Sequence, residues 1–353
     1  MPENSDLPIT YQHVPRFQPG SRESIDYLDE HGYVVIANAL TNDEAATAVS
    51  KLWDYLEALG TGINRNDPNT WDNDRWPTAV HGGILPGHGI GQCDAQWYIR
   101  DVPNVRQSFA AVWDTEELLV SFDGVSLWRP WSFNPEWKTG LGGSWLHIDQ
   151  HPLGRPGKQC VQGLVNLLPT TPNTGGNVVI PGSHMMHDQI SELYTERLAR
   201  IPAQIDHFRF PNNDPLLADS NPITCHMEAG DLLLWDSRTI HCSSPPTNTD
   251  AVAPDKNALI RAISLICMMP RSKSNEDVIS RRKAAVSKLT STTNWSDVWV
   301  NADKFPEVSA PGIKEKYTLP PVPELNATQL KMVGWTDDEL RRPPGTQSER
   351  PEL

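Results

Sequence analysis

The spacing of hydrophobic residues predicts short strands, with helices placed before and after them. An apolar stripe at helical spacing covers residues 45–59. Thr41 and Glu44 precede it at the spacing of a capping box, and Gly60 follows it. We therefore predict a helix over 41–60. Shorter helical patterns cover residues 21–31, 104–113, 183–200, 277–289 and 328–333.

Segments rich in β-branched and apolar residues are short and are separated by turn residues. Proline and glycine stand between several of them, as in residues 169–176 and 181–183. Because such turns are typical of antiparallel strands, we predict a mainly β fold with helical additions, one of which is inserted between strands. The predicted strand regions are residues 33–36, 118–128, 161–168, 177–180, 232–235 and 258–269.

The 353 residues divide by pattern into three regions. Residues 1–20 contain four prolines and no periodicity, which indicates an N-terminal arm. Residues 21–270 hold the helices and strands of one domain, and we expect 271–353 to pack on that domain as a helical and proline-rich extension. Residues 61–92 match neither periodicity, so we expect a long loop that serves as a lid or as irregular packing.

The charge and the cysteine content narrow the class of protein. A formal net charge of −14 would repel a phosphate backbone, so we expect no nucleic-acid partner. The five cysteines form no CxxC pair, which favours a reducing compartment over a disulfide framework. No apolar run approaches the ~20 residues of a membrane span. We expect an intracellular, soluble, cytoplasmic protein with no membrane partner, and no pattern indicates an oligomeric state.

Two distant segments supply candidate metal ligands. His147 and Asp149 alternate along a predicted strand, so both can face one ion. His241 would complete the set. Two imidazoles and one carboxylate leave three positions of an octahedral ion open, which is the arrangement of non-haem Fe(II) oxygenases. On its own, however, a His-x-Asp pair is more often an ordinary polar pair.

Other histidines are expected to be structural. His151 would share the face of the candidate ligands, but Pro152 indicates that the strand ends first. His184 follows a Pro-Gly turn and is expected to brace a loop. His207 and His226 are assigned structural roles as well.

The ordered segments around these residues resemble the phytanoyl-CoA dioxygenase-like family of Fe(II)/2-oxoglutarate oxygenases. The family pattern has an H-x-D pair on one strand, here His147 and Asp149, followed by a PGSH turn, here 181–184. A G-D strand then ends in the distal histidine, here 230–241, and the resemblance covers roughly residues 21–270. One group within the family shares H-x-D-Q, VQG-x-VNLLP and DSRTIH, here residues 147–150, 161–169 and 236–241.

The resemblance implies a double-stranded β-helix, or cupin-like jelly roll, with an ion at one mouth of the sheets. It implies Fe(II), 2-oxoglutarate and O2 as cofactor and cosubstrates, with His147, Asp149 and His241 as ligands. The implied reaction oxidises, by default hydroxylates, a C–H bond of a small molecule and releases succinate and CO2. Related halogenases have a small residue in place of the carboxylate, so Asp149 disfavours halogenation.

The resemblance also implies a basic residue that holds the far carboxylate of 2-oxoglutarate. Arg261 is the only cation on the apolar strand 258–269, and a guanidinium offers a carboxylate two parallel donors. Because a slip of one residue would turn this side chain to the other face, Arg238 or Arg129 stays an alternative. Ser243 matches a family hydroxyl that assists the same carboxylate.

Polar and aromatic residues near the iron strand are further candidates. Gln162 and Asn166 share a strand face and are placed toward the cosubstrate or ligated water, with buried structural hydrogen bonding as the alternative. Residues upstream of the iron strand are candidates for the substrate pocket, with ordinary packing as the alternative for each. They are Gln92, Trp97, Arg100, Trp128 and Arg129.

The pattern leaves other functions open. A desaturase, epoxidase or cyclase of a secondary metabolite would use the same oxidant. A cupin-like metalloenzyme would act without 2-oxoglutarate, and a non-catalytic jelly-roll protein would only bind a ligand. Nothing in the sequence identifies the substrate.

Overall fold

The structure is a computed structural model that describes residues 8–80, 83–137, 145–202, 206–211, 213–244, 258–300 and 316–341. Its strands are β1 (Thr10–Gln12), β2 (Arg16–Phe17), β3 (Tyr33–Ile36), β4 (Ile84–Leu85), β5 (Leu118–Val120), β6 (Val125–Trp128), β7 (His147–Ile148), β8 (Val161–Asn166), β9 (Gly176–Val179), β10 (Phe208–Arg209), β11 (Ile223–Cys225), β12 (Leu232–Asp236), β13 (His241–Ser244) and β14 (Arg261–Pro270). Its helices are α1 (Arg22–His31), α2 (Asn42–Ala58), α3 (Asp94–Asp101), α4 (Pro103–Trp113), α5 (His187–Leu193), α6 (Thr195–Leu198), α7 (Glu276–Ser287), α8 (Ala327–Val333) and α9 (Asp337–Arg341).

The strands form two sheets that pack face to face. The smaller sheet has the order β1-β11-β9-β13-β7-β10, and the larger has the order β2-β3-β12-β8-β14-β6-β4, with β5 paired to β14. Most pairs are antiparallel, but β1 with β11 and β2 with β3 are parallel. The predicted mainly β, jelly-roll class is confirmed, although the strands of the described residues form two open layers that do not close into a barrel.

Strand β14 separates two cores because its side chains alternate between its faces. Ala262 and Ile266 belong to the core that lies between the larger sheet and helices α1 to α4. Ile263 belongs to the core between the two sheets, together with Val179 of the smaller sheet. Arg261 shares this inner face with Ile263, so the strand directs its one cation into the space between the sheets.

The helix predicted over 41–60 has the caps that its sequence indicates. The Thr41 side chain accepts from the Glu44 backbone N–H, and the Glu44 carboxylate accepts in return from the Thr41 N–H. The helix occupies Asn42–Ala58, and its buried residues face the core under the larger sheet. The capping hydrogen bonds and the apolar stripe therefore both stabilise the helix that the sequence predicts.

The two ends of the described chain are attached to the same pair of sheets. The expected N-terminal arm contributes β1 to an edge of the smaller sheet and β2 to an edge of the larger one. At the other end, the buried Arg282 of α7 donates to the carbonyls of Val120 and Val333. These bonds connect the C-terminal helices to β5. Within the expected long loop, the Trp71 side chain is fully buried against Trp53.

The described residues contain no helix that is long and apolar enough to cross a membrane. The five cysteines are buried and unbridged.

Candidate metal centre

Adjacent strands of the smaller sheet bring the three predicted ligands together. His241 of β13 lies directly opposite His147 of β7, and the ring centroids are 4.3 Å apart. Asp149 follows β7, with Oδ1 3.8 Å from His147 Nε2 and Oδ2 3.4 Å from His241 Nε2. Donors that each bind one ion at about 2.1 Å lie about 3 Å apart in neighbouring positions. Each imidazole therefore faces one oxygen of the same carboxylate, and small side-chain movements would bring the three donors to the spacing of a shared ion.

Backbone carbonyls fix the orientation of both imidazoles. His147 Nδ1 lies 2.9 Å from the Trp145 carbonyl, and His241 Nδ1 lies 2.9 Å from the Thr239 carbonyl. When each Nδ1–H donates to its carbonyl, the lone pair of Nε2 points toward Asp149. Gln162 Nε2 in turn donates to Asp149 Oδ2 at 3.1 Å. These contacts have the form of the outer hydrogen bonds that orient metal ligands.

The surroundings favour the protonation states that bind a cation. Burial lowers the pKa of His147 well below its ordinary value, and the neighbouring His241 lowers it further. Burial alone would raise the pKa of Asp149, but the facing histidines outweigh it, so this pKa lies well below its ordinary value. A neutral imidazole and an ionised carboxylate are the ligating forms.

A third histidine, for which the sequence predicts a structural role, also lies beside the carboxylate of Asp149. His207 Nδ1 lies 3.4 Å from Asp149 Oδ1, and its ring centroid lies 4.6 Å from that of His147. Strand β10 pairs with β7, and Phe208 lies opposite Ile148. One step further along this register His207 faces Asp149. The alternation of Phe208 and Phe210 into an apolar cluster is the sequence signal that turns His207 to the metal-centre face.

Arg261 lies buried at the same end of the interior. Its Nη1 donates to the Ser243 hydroxyl at 3.1 Å and to the Ser244 carbonyl at 3.3 Å, and its guanidinium lies over the Trp128 ring at 4.6 Å. Burial lowers the pKa of Arg261 to about 10. Within the described ranges no carboxylate forms an ion pair with it. A buried cation without a counter-ion fits an anionic ligand.

The two alternative arginines have partners in the protein. Arg238 donates to both carboxylate oxygens of Asp236, at 2.9 and 2.7 Å. Arg129 donates to the Trp71 carbonyl and to Asn73 Oδ1. Both guanidinium groups are thereby held by contacts away from Ser243.

Two buried donors, one opposite Ser243 and one beside His241, lack acceptors among the described residues. They are Asn177 Nδ2 and Trp235 Nε1. Asn177 lies opposite Ser243 in the β9–β13 pair, and the Trp235 ring lies 5.3 Å from that of His241. Because buried polar groups are normally paired, these two donors fit a ligand with several oxygen acceptors, as 2-oxoglutarate has.

Comparison with known proteins decides the family. The model of the family described as Phytanoyl-CoA dioxygenase (PhyH) matches residues 28–251. The chain belongs to the phytanoyl-CoA dioxygenase family. It is therefore an enzyme, a non-haem iron- and 2-oxoglutarate-dependent oxygenase.

Individual relatives and solved structures show what this phytanoyl-CoA dioxygenase family member is similar to. It is 30% identical over 287 residues to "Ava biosynthesis cluster protein O" of Aspergillus versicolor, covering 78% of this chain and 87% of that protein. It is 25% identical over 232 residues to the 1-deoxypentalenic acid 11-beta-hydroxylase of Streptomyces arenae, covering 65% and 76%. The epimerase SnoN, solved with Fe3+, alpha ketoglutarate and nogalamycin RO, is similar with a TM-score of 0.43 at 14% identity, over 70% of this chain and 83% of that one.

Three residues expected in the substrate pocket of this family member lie away from the candidate metal ligands. Trp97 Nε1 donates to Gln92 Oε1 at 3.2 Å, and Arg100 donates to the carbonyls of Gly91 and Asp123. All three side chains are buried behind the larger sheet, where α3 packs on the outer face of β14. The structure thus does not bring Gln92, Trp97 or Arg100 to the face that carries the candidate metal ligands.

Of the other expected site residues, two contact Arg261 or Asp149, and two form structural hydrogen bonds. Trp128 packs under Arg261, and Gln162 touches Asp149. Asn166 donates to the Glu228 carbonyl and accepts from Thr170, so its amide is used in structural bonds. Arg129 donates to Trp71 and Asn73 and so holds part of the 61–92 loop.

Proposed function

We propose that this oxygenase hydroxylates a C–H bond of a small organic molecule and binds iron through His147, Asp149 and His241. The observation that carries the ligand assignment is the convergence of two Nε2 atoms on one carboxylate, with both Nδ1 atoms held by backbone carbonyls. This arrangement leaves one side of an octahedral ion for cosubstrate and O2.

Arg261 is the proposed anchor of 2-oxoglutarate. Its charge has no carboxylate partner in the described part of the chain. It donates to Ser243, Asn177 lies opposite Ser243, and the indole N–H of Trp235 lies toward the metal end beside His241. A guanidinium binds a carboxylate with two parallel hydrogen bonds. The far carboxylate of the cosubstrate would thereby be oriented so that its keto acid end faces the metal ligands.

The protein side chains orient the reactants and exclude water. Bound iron and 2-oxoglutarate together supply the activation of O2, and succinate and CO2 are the co-products. Trp145 stacks on the His147 ring at 4.7 Å, and its indole N–H donates to the Ser243 carbonyl at 2.8 Å. The indole thus covers one ligand and connects β7 to β13. A covered centre favours reaction with the bound substrate over reaction with solvent.

The proposed substrate is a secondary metabolite. Two relatives support this class, since one is named for a biosynthesis cluster and the other for hydroxylation of 1-deoxypentalenic acid. Trp128 and Trp131 pack with Ile260 beside Arg261 and form an apolar wall near the cosubstrate anchor. Such a wall suits a carbon skeleton with few charges.

An anaerobic titration with Fe(II) and 2-oxoglutarate tests the ligand set. The wild-type protein should develop the visible charge-transfer band of a keto acid chelated to Fe(II). His147→Ala and Asp149→Ala should lose the band while their circular dichroism is unchanged. His226→Ala, at a histidine that contacts Tyr11 and Glu228, is the matched control and should keep it. A full band in either ligand variant would refute the assignment.

Product analysis tests hydroxylation. Candidate metabolites that stimulate succinate release should gain one oxygen atom, and 18O2 should label that atom. Loss of two hydrogens without oxygen gain would instead indicate desaturation or ring formation, and oxygen gain across a double bond would indicate epoxidation. Complete turnover without 2-oxoglutarate would exclude the proposal.

A further inference from the structure

A third histidine lies at the metal centre, in addition to the two of the proposed ligand set. We propose that His207 is a fourth protein donor to the metal, bound in the resting enzyme and displaced when 2-oxoglutarate binds. This inference rests on the proposed ligands His147, Asp149 and His241, and it adds a donor to them.

The position of His207 follows from strand register. Strand β10 is the edge strand of the smaller sheet and pairs with β7, which carries His147. Facing residues of paired strands project their side chains to the same side of a sheet. His207 faces Asp149 in this register, and its Nδ1 lies 3.4 Å from Asp149 Oδ1.

The distances suit a shared ion. One donor atom from each of His147, Asp149 and His207 can be chosen so that all three lie within 4.8 Å of one another. Donors bound to one ion at about 2.1 Å lie about 3 Å apart in neighbouring positions and about 4.2 Å apart in opposite ones. Small side-chain movements therefore suffice to bring His207 into the coordination sphere.

The surroundings of His207 make it easier to displace than the other two histidines. The side chains of His147 and His241 are 7% and 5% exposed, and each is held by a carbonyl at Nδ1. The His207 side chain is 42% exposed and stands beside a two-residue strand that is paired on one side. Short edge segments open at low free-energy cost.

A count of coordination positions shows that His207 cannot remain bound once 2-oxoglutarate and O2 are both present. Three proposed ligands, two donors from the keto acid and O2 fill the six positions of an octahedral ion. A fourth protein donor must therefore leave before all of them can bind.

Pulsed electron paramagnetic resonance of the Cu(II)-loaded protein tests the proposal by counting coordinated imidazoles. The wild-type protein should show three without 2-oxoglutarate and two with it. His207→Ala should show two in both conditions, and His226→Ala should match the wild type. Two imidazoles in the wild type without 2-oxoglutarate would overturn the inference while leaving the proposed function intact. No bound metal at all in the wild type would refute both.

Calorimetry with Ni(II) gives a second readout and separates ligation from hydrogen bonding. Without 2-oxoglutarate, His207→Ala should weaken Ni(II) binding by about tenfold or more, and the difference should shrink when 2-oxoglutarate is present. His207→Asn keeps a side-chain donor for Asp149 but removes the imidazole, so it should behave like His207→Ala. Wild-type affinity in His207→Asn would show that His207 only donates a hydrogen bond and would contradict the proposal. Arg209→Ala, on the same strand and face, controls for disturbance of β10.

Discussion

At the scale of single residues, the buried charge of Arg261 leads to a testable requirement. Arg261→Ala should raise the KM for 2-oxoglutarate roughly 10- to 100-fold, because charged hydrogen bonds contribute roughly 1.5–3 kcal/mol. The kcat at saturation should change much less, since the residue does not reach the reacting bond. Arg238→Ala should leave this KM unchanged because Arg238 is paired with Asp236. Initial rates at varied 2-oxoglutarate measure both effects, and a raised KM in Arg238→Ala would contradict the anchor assignment.

Gln162 is predicted to strengthen metal binding through Asp149. Gln162→Leu removes the donor 3.1 Å from Asp149 Oδ2, so Fe(II) affinity should fall about 10- to 100-fold. Anaerobic calorimetry measures the change. Asn166→Leu serves as a comparison on the same strand face, because the amide of Asn166 bonds to Glu228 and Thr170 and, among the described residues, has no contact with Asp149. Equal losses of affinity in the two variants would show a general disturbance of the strand.

The site residues that could be predicted are those identified by short patterns in the sequence. His147, Asp149 and His241 follow from alternation along strands and from motifs in fixed order. His207 stands 58 residues from Asp149 and meets it only through the β10–β7 register. The alternation of Phe208 and Phe210 indicates the face on which His207 lies, but a two-residue strand has no pattern that identifies its partner strand, so the contact with Asp149 is found only in the folded structure.

At the scale of elements, the sequence predicted helices and strands better than it predicted the sides on which they pack. Gln92 and Arg100 are candidates for the substrate pocket because they precede the iron strand in the sequence. Periodicity, however, does not show which face of a sheet a helix covers. The structure places α3 behind the larger sheet, where Gln96 accepts from the Ser264 hydroxyl. Gln92 and Arg100 are therefore buried in packing contacts on the side of the larger sheet that faces away from the metal ligands.

The capping box of α2 predicts a stability effect without a catalytic one. Thr41→Ala removes the acceptor for the Glu44 N–H and should lower the free energy of unfolding by about 1 kcal/mol. Thr47→Ala, within the same helix, should cost less, since alanine has a higher helix propensity. Urea denaturation followed by circular dichroism measures both. A lower kcat in Thr41→Ala at full folding would indicate that the helix acts on the site.

At the scale of the whole molecule, buried histidines make stability depend on pH. Burial lowers the pKa of His184 and of His187 below the ordinary value of 6.5. The unfolded chain then binds more protons than the folded protein as the pH falls through about 6.5, so stability is complete above that pH and declines below it. The Tm of chelator-treated protein should fall from pH 8 to pH 5. His184→Gln should reduce the slope, and a Tm that is constant or rises on acidification would disprove the effect.

The opposite faces of β14 have a consequence for how enzymes of this shape diversify. Ala262 and Ile266 sustain the scaffold beneath the helices, whereas Ile263 and Leu265 border the interior between the sheets. Substitutions at Ile263 and Leu265 can change the shape of the interior between the sheets and leave the packing of the helices in place. New substrates can thus be acquired by exchanging alternate residues of one strand, and mutant libraries confined to those positions should retain folded protein while their product spectra diverge.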